Sequence, residues 1–277
     1  MSCNEKVWIN GEISTVIAAS DRGLSYGDGL FETIRIVAGK LSFEQLHWQR
    51  LATGCKYLKI KCDNAQLKNE VSRFLNWTHA TEGIIKIIIT RGSGGRGYNP
   101  AECHAPQRIL SLHPLPMYPA SLSYEGIAVK LCQLRLGHSA LAGIKHLNRL
   151  EQVLARSEWT NSRYHEGLLQ SVDGWLVEGT MSNIFLIGEH NTLMTPRLER
   201  YGVAGVCRQY ILNQASHWGF QVKEIDIPLT ALFHAKEVFV CNSVNGIWPV
   251  VACEQNRWRV GVVTQIIRDN VADKLHA

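Results

Sequence analysis

Three positions stand out for the chemistry their surroundings would give them. Lys145 ends a short glycine-bounded loop, Leu141-Ala142-Gly143-Ile144, and is followed by His146 and Leu147. A lysine in water is an inert cation. One partly desolvated by Ile144 and Leu147 loses basicity and becomes a nucleophile toward a carbonyl. Glu178 follows the apolar run Trp175-Leu176-Val177 and precedes Gly179. It is either a hairpin-edge carboxylate in water or a buried one, and burial demands a cation such as a protonated ring nitrogen. Gly205 stands immediately before a predicted helix that starts at Val206. The free N–H groups and positive end of such a helix suit a phosphate, although an ordinary loop glycine would read the same.

Other patterns exclude chemistry. Gly92-Ser93-Gly94-Gly95-Arg96-Gly97 fits a dinucleotide fingerprint, but Tyr98-Asn99-Pro100 starts no helix. A flexible loop is expected there, from which Arg96 could reach an anion. The 11 His include no HExxH pair, and Cys103-His104 stands alone, so no metal site is expected. Neither a Walker phosphate loop nor a G-x-S-x-G elbow is present. The net charge of +5 is scattered rather than gathered into a stripe, which argues against nucleic acid. The richest apolar run, Ile84 to Ile89, is short and carries Lys86, far from the roughly 18 apolar residues of a membrane span. The eight Cys form no CxxC, and the first residues lack an apolar leader region; free thiols in the cytoplasm are expected.

These side chains need elements to position them. Alternation over Phe31 to Val37, closed by Ala38-Gly39-Lys40, predicts a strand and hairpin turn. Helices are predicted over Phe43 to Leu58, with Leu46, Leu51, Cys55 and Leu58 apolar, and over Leu67 to Trp77; Val7 to Ile9, Ile84 to Thr90 and Ile109 to Leu112 read as strands. Pro114, Pro116 and Pro119 then mark a linker, giving an N-terminal domain over 1–113, a linker over 114–122 and a C-terminal domain over 123–277. Beyond it, a strand over Ile127 to Leu136 leads to a helix predicted from His146 to Trp159, with Leu147, Leu150 and Leu154 on one face. Asp173-Gly174 predicts a hairpin between Gly167–Ser171 and Trp175–Val177, and Asn183 to Ile187 a further strand. A helix over Val206 to Trp218 with Gly219 at its C′ end, strands over Val238–Cys241 and Ile247–Ala252, and a last helix over Val263 to Lys274 complete an α/β (α+β) reading in two domains.

Several runs carry a resemblance to a known family. They are Asp21-Arg22-Gly23-Leu24, Tyr26-Gly27-Asp28-Gly29-Leu30-Phe31-Glu32, His47-Trp48-Gln49-Arg50-Leu51, Lys145, and above all Glu178-Gly179-Thr180-Met181-Ser182-Asn183-Ile184-Phe185. Together they resemble the fold-type-IV enzymes that use pyridoxal 5′-phosphate (PLP), over nearly the whole chain. The resemblance implies a small N-terminal α/β domain, a larger C-terminal pseudo-barrel domain that binds PLP, and a homodimer. Lys145 matches the lysine that carries PLP and later moves protons, and Glu178 the partner of the pyridine nitrogen. Arg50 matches the phosphate arginine; Gly205, Val206 and Cys207 match the phosphate turn at a helix start, with Cys207 where relatives often have Thr. Asn242 and Ser243 match a second phosphate loop, and Asn183 a position near the ring. Gly143 to Arg156 and Thr90 to Tyr98 resemble the lyase branch, which acts on 4-amino-4-deoxychorismate. That substrate is dicarboxylic, which makes Arg96 and Tyr98 candidate substrate ligands. An aminotransferase of D-amino or branched-chain acids would share the same cofactor frame.

Overall fold

The strand predicted at Phe31 is the spine of the first of two units. The computed structural model describes residues 6–103 and 105–276; Cys3 and His104 lie outside them. The first unit runs to Pro116 and includes Lys145–Asn148, and the second comprises Met117–Ile144 and Arg149–His276. The first unit contains β1 (Val7–Ile9), β2 (Glu12–Ile13), α1 (Arg22–Tyr26), β3 (Gly29–Val37), β4 (Lys40–Leu41), α2 (Glu44–Leu58), α3 (Asn64–Thr78), β5 (Glu82–Thr90) and β6 (Gln107–His113). Its six strands lie in the order β2-β1-β6-β5-β3-β4. β3 and β5 pair antiparallel from Gly29↔Thr90 to Val37↔Glu82. Along β3, Leu30, Glu32, Ile34 and Ile36 are buried in strict alternation, so a carboxylate shares the core face with three aliphatic residues.

Helix α2 packs on β3, and buries His47, Trp48, Leu51, Gly54 and Cys55. The predicted apolar positions Leu46 and Leu58 are only half-buried. Leu51 and Cys55 lie on the buried face as predicted, and His47 and Trp48 complete it where Leu46 does not. Asp63 caps α3 by accepting the N–H groups of Ala65 at 2.8 Å and Gln66 at 3.2 Å.

The segment Lys145–Asn148 corrects a prediction. Helix was expected from His146, but the chain is extended there and lies against β3. Phe31 N–H donates to the Lys145 carbonyl at 3.1 Å, Leu147 N–H donates to the Gly29 carbonyl at 3.0 Å, and Leu30 and His146 form a bridge. Backbone groups spent on a strand are lost to a helix. Helix therefore begins only at Leu150.

The second unit contains α4 (Leu122–Glu125), β7 (Ile127–Leu136), α5 (Leu150–Arg156), β8 (Glu166–Ser171), β9 (Trp175–Gly179), β10 (Asn183–Ile187), β11 (Leu193–Pro196), α6 (Val206–Gln214), β12 (Val222–Ile225), β13 (Ile227–Pro228), α7 (Leu229–His234), β14 (Glu237–Asn242), β15 (Gly246–Cys253), β16 (Asn256–Arg257) and α8 (Val262–Leu275). The strand path is β12-β11-β10-β14-β15-β7-β8-β9-β13, with β16 on β15. β8 and β10 are buried at every position, as strands covered on both faces must be. Leu168, Ile184, Leu186, Val240 and Trp248 are among the residues of the main core.

The predicted stripe is not a core face on α5: Leu150 and Leu154 are 76% and 58% exposed, and the adjacent Val153, which is not part of it, is 60% exposed. The regular part of α6 ends at Gln214 rather than Trp218. The chain continues in tighter turns to Gly219, at φ +83°, where Gly219 N–H bonds the Ser216 carbonyl and Phe220 N–H the Ala215 carbonyl. That pair of bonds is a Schellman closure, so the glycine ends the helical run at its predicted place.

Candidate active site

In the first unit the phase of β3 and the turn of α2 bring Glu32, His47 and Arg50 together. His47 and Arg50 are three residues apart and share a helix face. Arg50 Nε donates to Glu32 Oε1 at 2.8 Å, and Arg50 Nη2 donates to Glu32 Oε2. His47 Nδ1 lies 2.6 Å from Glu32 Oε2. Burial alone would raise the Glu32 carboxyl, but the charge and hydrogen bonds of Arg50, aided by His47, hold it down at about 2. Burial, against the pull of Glu32, keeps the His47 pKa below its ordinary value. An ionised carboxylate only accepts, so Nδ1 of the neutral imidazole carries the proton. The other nitrogen, Nε2, is buried with no hydrogen-bond partner among the described residues. Lys145, held to β3 by its carbonyl, places Nζ 4.2 Å from the centre of the Phe31 ring.

Arg96 and Tyr98 lie in the glycine-rich loop after β5, which starts no helix. Arg96 is exposed, and Tyr98 is 85% exposed with its ring beside Tyr26. Arg22 ties the loop down by donating to the carbonyls of Gly97 at 2.8 Å and Tyr98 at 3.1 Å.

The second unit gathers the remaining predicted residues. Glu178, at the end of β9, is 4% exposed, and its Oε2 accepts the Val203 N–H at 2.8 Å. Asn183, at the start of β10, donates from Nδ2 to the Val203 carbonyl at 2.9 Å. Both side chains thus hold one peptide residue, just ahead of α6. Gly205 is the N-cap of that helix and offers no side-chain cap. A Cβ on Gly205 would fall 2.0 Å from Asn183 Oδ1, so only glycine lets the asparagine amide lie against the helix start. The first-turn N–H groups of α6 are donors of the kind that phosphate oxygens satisfy. Arg208, also in the first turn, points elsewhere: it anchors α6 by donating to the Pro196 carbonyl at 2.9 Å and Glu224 at 2.7 Å.

Cys207 is 1% exposed, and its thiol hydrogen-bonds Cys241, which raises its pKa well above the ordinary thiol value. Its backbone N–H, not its side chain, is what it can offer an anion. Asn183 and Cys241 are paired across β10 and β14, which places Asn242 and Ser243 on the same edge. Asn242 Oδ1 accepts the N–H groups of Val244 at 3.0 Å and Asn245 at 2.7 Å, and so builds the turn that carries Ser243. A buried carboxylate for a ring nitrogen, a glycine cradle at a helix start and a hydroxyl-bearing turn fit PLP.

The family model for amino-transferase class IV matches residues 29–253. The chain belongs to the class-IV aminotransferase family. Among members of the family it is 33% identical to aminodeoxychorismate lyase from Vibrio harveyi, over 95% of this chain and 98% of that one. It is 42% identical to the solved 4-amino-4-deoxychorismate lyase from Pseudomonas aeruginosa, with a TM-score of 0.94 over 98% of this chain and 100% of that one. A PLP-bound hypothetical aminotransferase from Mycobacterium tuberculosis, 18% identical, shares the fold at a TM-score of 0.84 over 97% and 98% of the two chains.

Sequence reasoning assigned no role to Glu32, His47 or Val203. A signal existed for the first two. Glu32 is in phase with the apolar residues of β3, and a carboxylate on a core face needs a cation or several hydrogen-bond donors, which a helix bearing His and Arg three apart supplies. Val203 acts through its backbone and leaves no signal in its side chain.

Proposed function

We propose that this member of the class-IV aminotransferase family is a PLP-dependent lyase that converts 4-amino-4-deoxychorismate to 4-aminobenzoate and pyruvate. The observation that carries the reading is the likeness to the Pseudomonas lyase along nearly the whole of both chains. Bound PLP supplies an electron sink for the negative charge left at the amine-bearing carbon.

The roles of the chain's own residues follow from their chemistry. Lys145 would hold the cofactor covalently, and its amine, when free, would take the proton from the substrate carbon bearing nitrogen. Glu178 keeps the pyridine nitrogen protonated, and the Val203 N–H on its Oε2 holds that carboxylate in place. Arg50 and the N–H groups of Gly205, Val206 and Cys207 take the phosphate, together with Asn242 and the Ser243 hydroxyl. Asn183 lies beside the ring. Arg96 and Tyr98 receive the substrate carboxylates. Loss of the proton and of the enolpyruvyl ether leaves an aromatic ring, so the elimination is strongly downhill and the protein supplies positioning and proton handling.

We also infer a cytoplasmic homodimer. The outward apolar stripe of Leu150, Val153 and Leu154 supports the dimer, and the seven free thiols among the described residues suit a reducing compartment.

The test is direct. Purified protein given fresh 4-amino-4-deoxychorismate should release 4-aminobenzoate and pyruvate in equal amounts, and Lys145→Ala should release neither. A PLP-loaded protein that yields no product but transfers an amino group from alanine to an oxo acid would be an aminotransferase instead.

A further inference from the structure

Glu166 opens β8 and is 1% exposed. Among the described residues its hydrogen-bond partners are all neutral donors. Oε1 accepts the Gly167 N–H at 2.8 Å, the Thr180 N–H at 2.9 Å and the Thr180 hydroxyl at 2.5 Å. Oε2 accepts the Ser182 hydroxyl at 2.7 Å and the Met181 N–H at 3.2 Å. Four of these five donors belong to the turn between β9 and β10. The turn is closed on itself by Gly179 N–H to the Ser182 carbonyl at 2.7 Å. A Cβ at Gly179 would fall 2.3 Å from Ser182 Oγ and 2.8 Å from Glu166 Cδ.

This geometry explains the residue types of Glu178-Gly179-Thr180-Met181-Ser182-Asn183. The glycine lets the carboxylate come close, and the threonine and serine hydroxyls solvate it. Only a carboxylate presents two oxygens that accept several bonds each and donate none. Burial raises the carboxyl pKa, and the hydroxyl and backbone donors oppose that rise. The residues on either side of the turn, Glu178 and Asn183, grip the two polar groups of Val203, its N–H and its carbonyl. Their separation is fixed by the turn between them.

We propose that Glu166 is a positioning residue: its carboxylate fixes the Gly179–Ser182 turn and thereby sets Glu178 and Asn183 against Val203. Its consequence for catalysis rests on the PLP reading; its consequence for the turn does not.

Glu166→Gln is the decisive variant, because it turns an N–H donor toward the Met181 N–H or the Thr180 N–H. Thr180→Val and Thr180→Ser form a second pair that keeps the carboxylate and removes or retains one hydroxyl. In the cofactor-free protein, amide exchange at Val203 should quicken about tenfold in Glu166→Gln and Thr180→Val and stay at the wild-type rate in Thr180→Ser. In the PLP-loaded enzyme, Glu166→Gln should lower kcat about tenfold with KM within about twofold, and should cost nothing further on a Glu178→Gln background. Wild-type exchange at Val203 in both Glu166→Gln and Thr180→Val overturns the proposal, as does an equal loss of kcat in both backgrounds. If Glu166→Gln does not fold, the Thr180 pair decides. A wild-type protein that takes up no PLP sinks the functional reading instead, and the exchange measurement then decides this inference alone.

Discussion

At the residue scale the informative groups are buried charges, because each must have a stated partner. Glu32 has one in Arg50, with His47 beside it. Its folded pKa of about 2 lies below the ordinary 4.5, so the stability it contributes is fully present above pH 4.5 and is lost as pH falls toward 2. His47, held below its ordinary 6.5, loses its contribution in the same direction, as acid charges the unfolded chain first. Thermal melts should therefore fall as pH drops through both windows. Glu32→Gln should lower stability by about 3 kcal/mol at neutral pH, since it leaves Arg50 without its carboxylate. It should also flatten the dependence below pH 4.5. A variant whose melting temperature tracks wild type across the acid range would remove Glu32 as its source.

At the element scale the start of α6 is the feature that matters. A helix start offers donors only if nothing in the chain covers them, and Gly205 leaves room for the Asn183 amide alone. Gly205→Ala should push Asn183 off the Val203 carbonyl and weaken PLP binding about tenfold in a fluorescence titration. Global stability should fall little, because φ at this position, −68°, is open to alanine. Equal PLP affinity in the two proteins would show that the contact between Asn183 and the helix start does not matter to the cofactor. The helix is itself pinned by Arg208 to β11 and β12, which keeps the cation of the first turn away from the backbone donors of the helix start.

At the scale of the whole molecule, the candidate residues are divided between the units. Arg50 and Lys145 belong to the first, whereas Glu178, Asn183, the start of α6 and the Ser243 turn belong to the second. No helix among the described residues is long and apolar enough to cross a membrane. The proposed homodimer is tested at the exposed stripe of α5. Val153→Glu places a charge in that stripe at no cost to the core, since Val153 is 60% exposed. Sedimentation should show a dimer for wild type and a monomer for the variant, and an unchanged dimer would put the interface elsewhere.

How much of this is legible in residue order depends on the range of the interaction involved. The phase of β3, the span of β7 and β10, the Asp173-Gly174 hairpin and the closing glycine of α6 are local consequences of side-chain alternation and turn chemistry. Neighbouring residues suffice to read them. Lys145 and the run from Glu178 to Asn183 are singled out in the same way, as candidates, by residue type and order. The extended course of Lys145–Asn148 is not legible in this way. A helix is the better local choice there, and it loses to hydrogen bonds with β3 more than a hundred residues away. Nor can the partners of Glu32 and Glu166 be assigned locally: a carboxylate announces a need for donors, but which donors answer depends on how strands and helices pack. Residue order alone sets most of the elements and nominates the candidate reactive side chains. Tertiary packing decides which backbone groups hold those side chains, because backbone donors and acceptors are the same in every residue and acquire identity only by position.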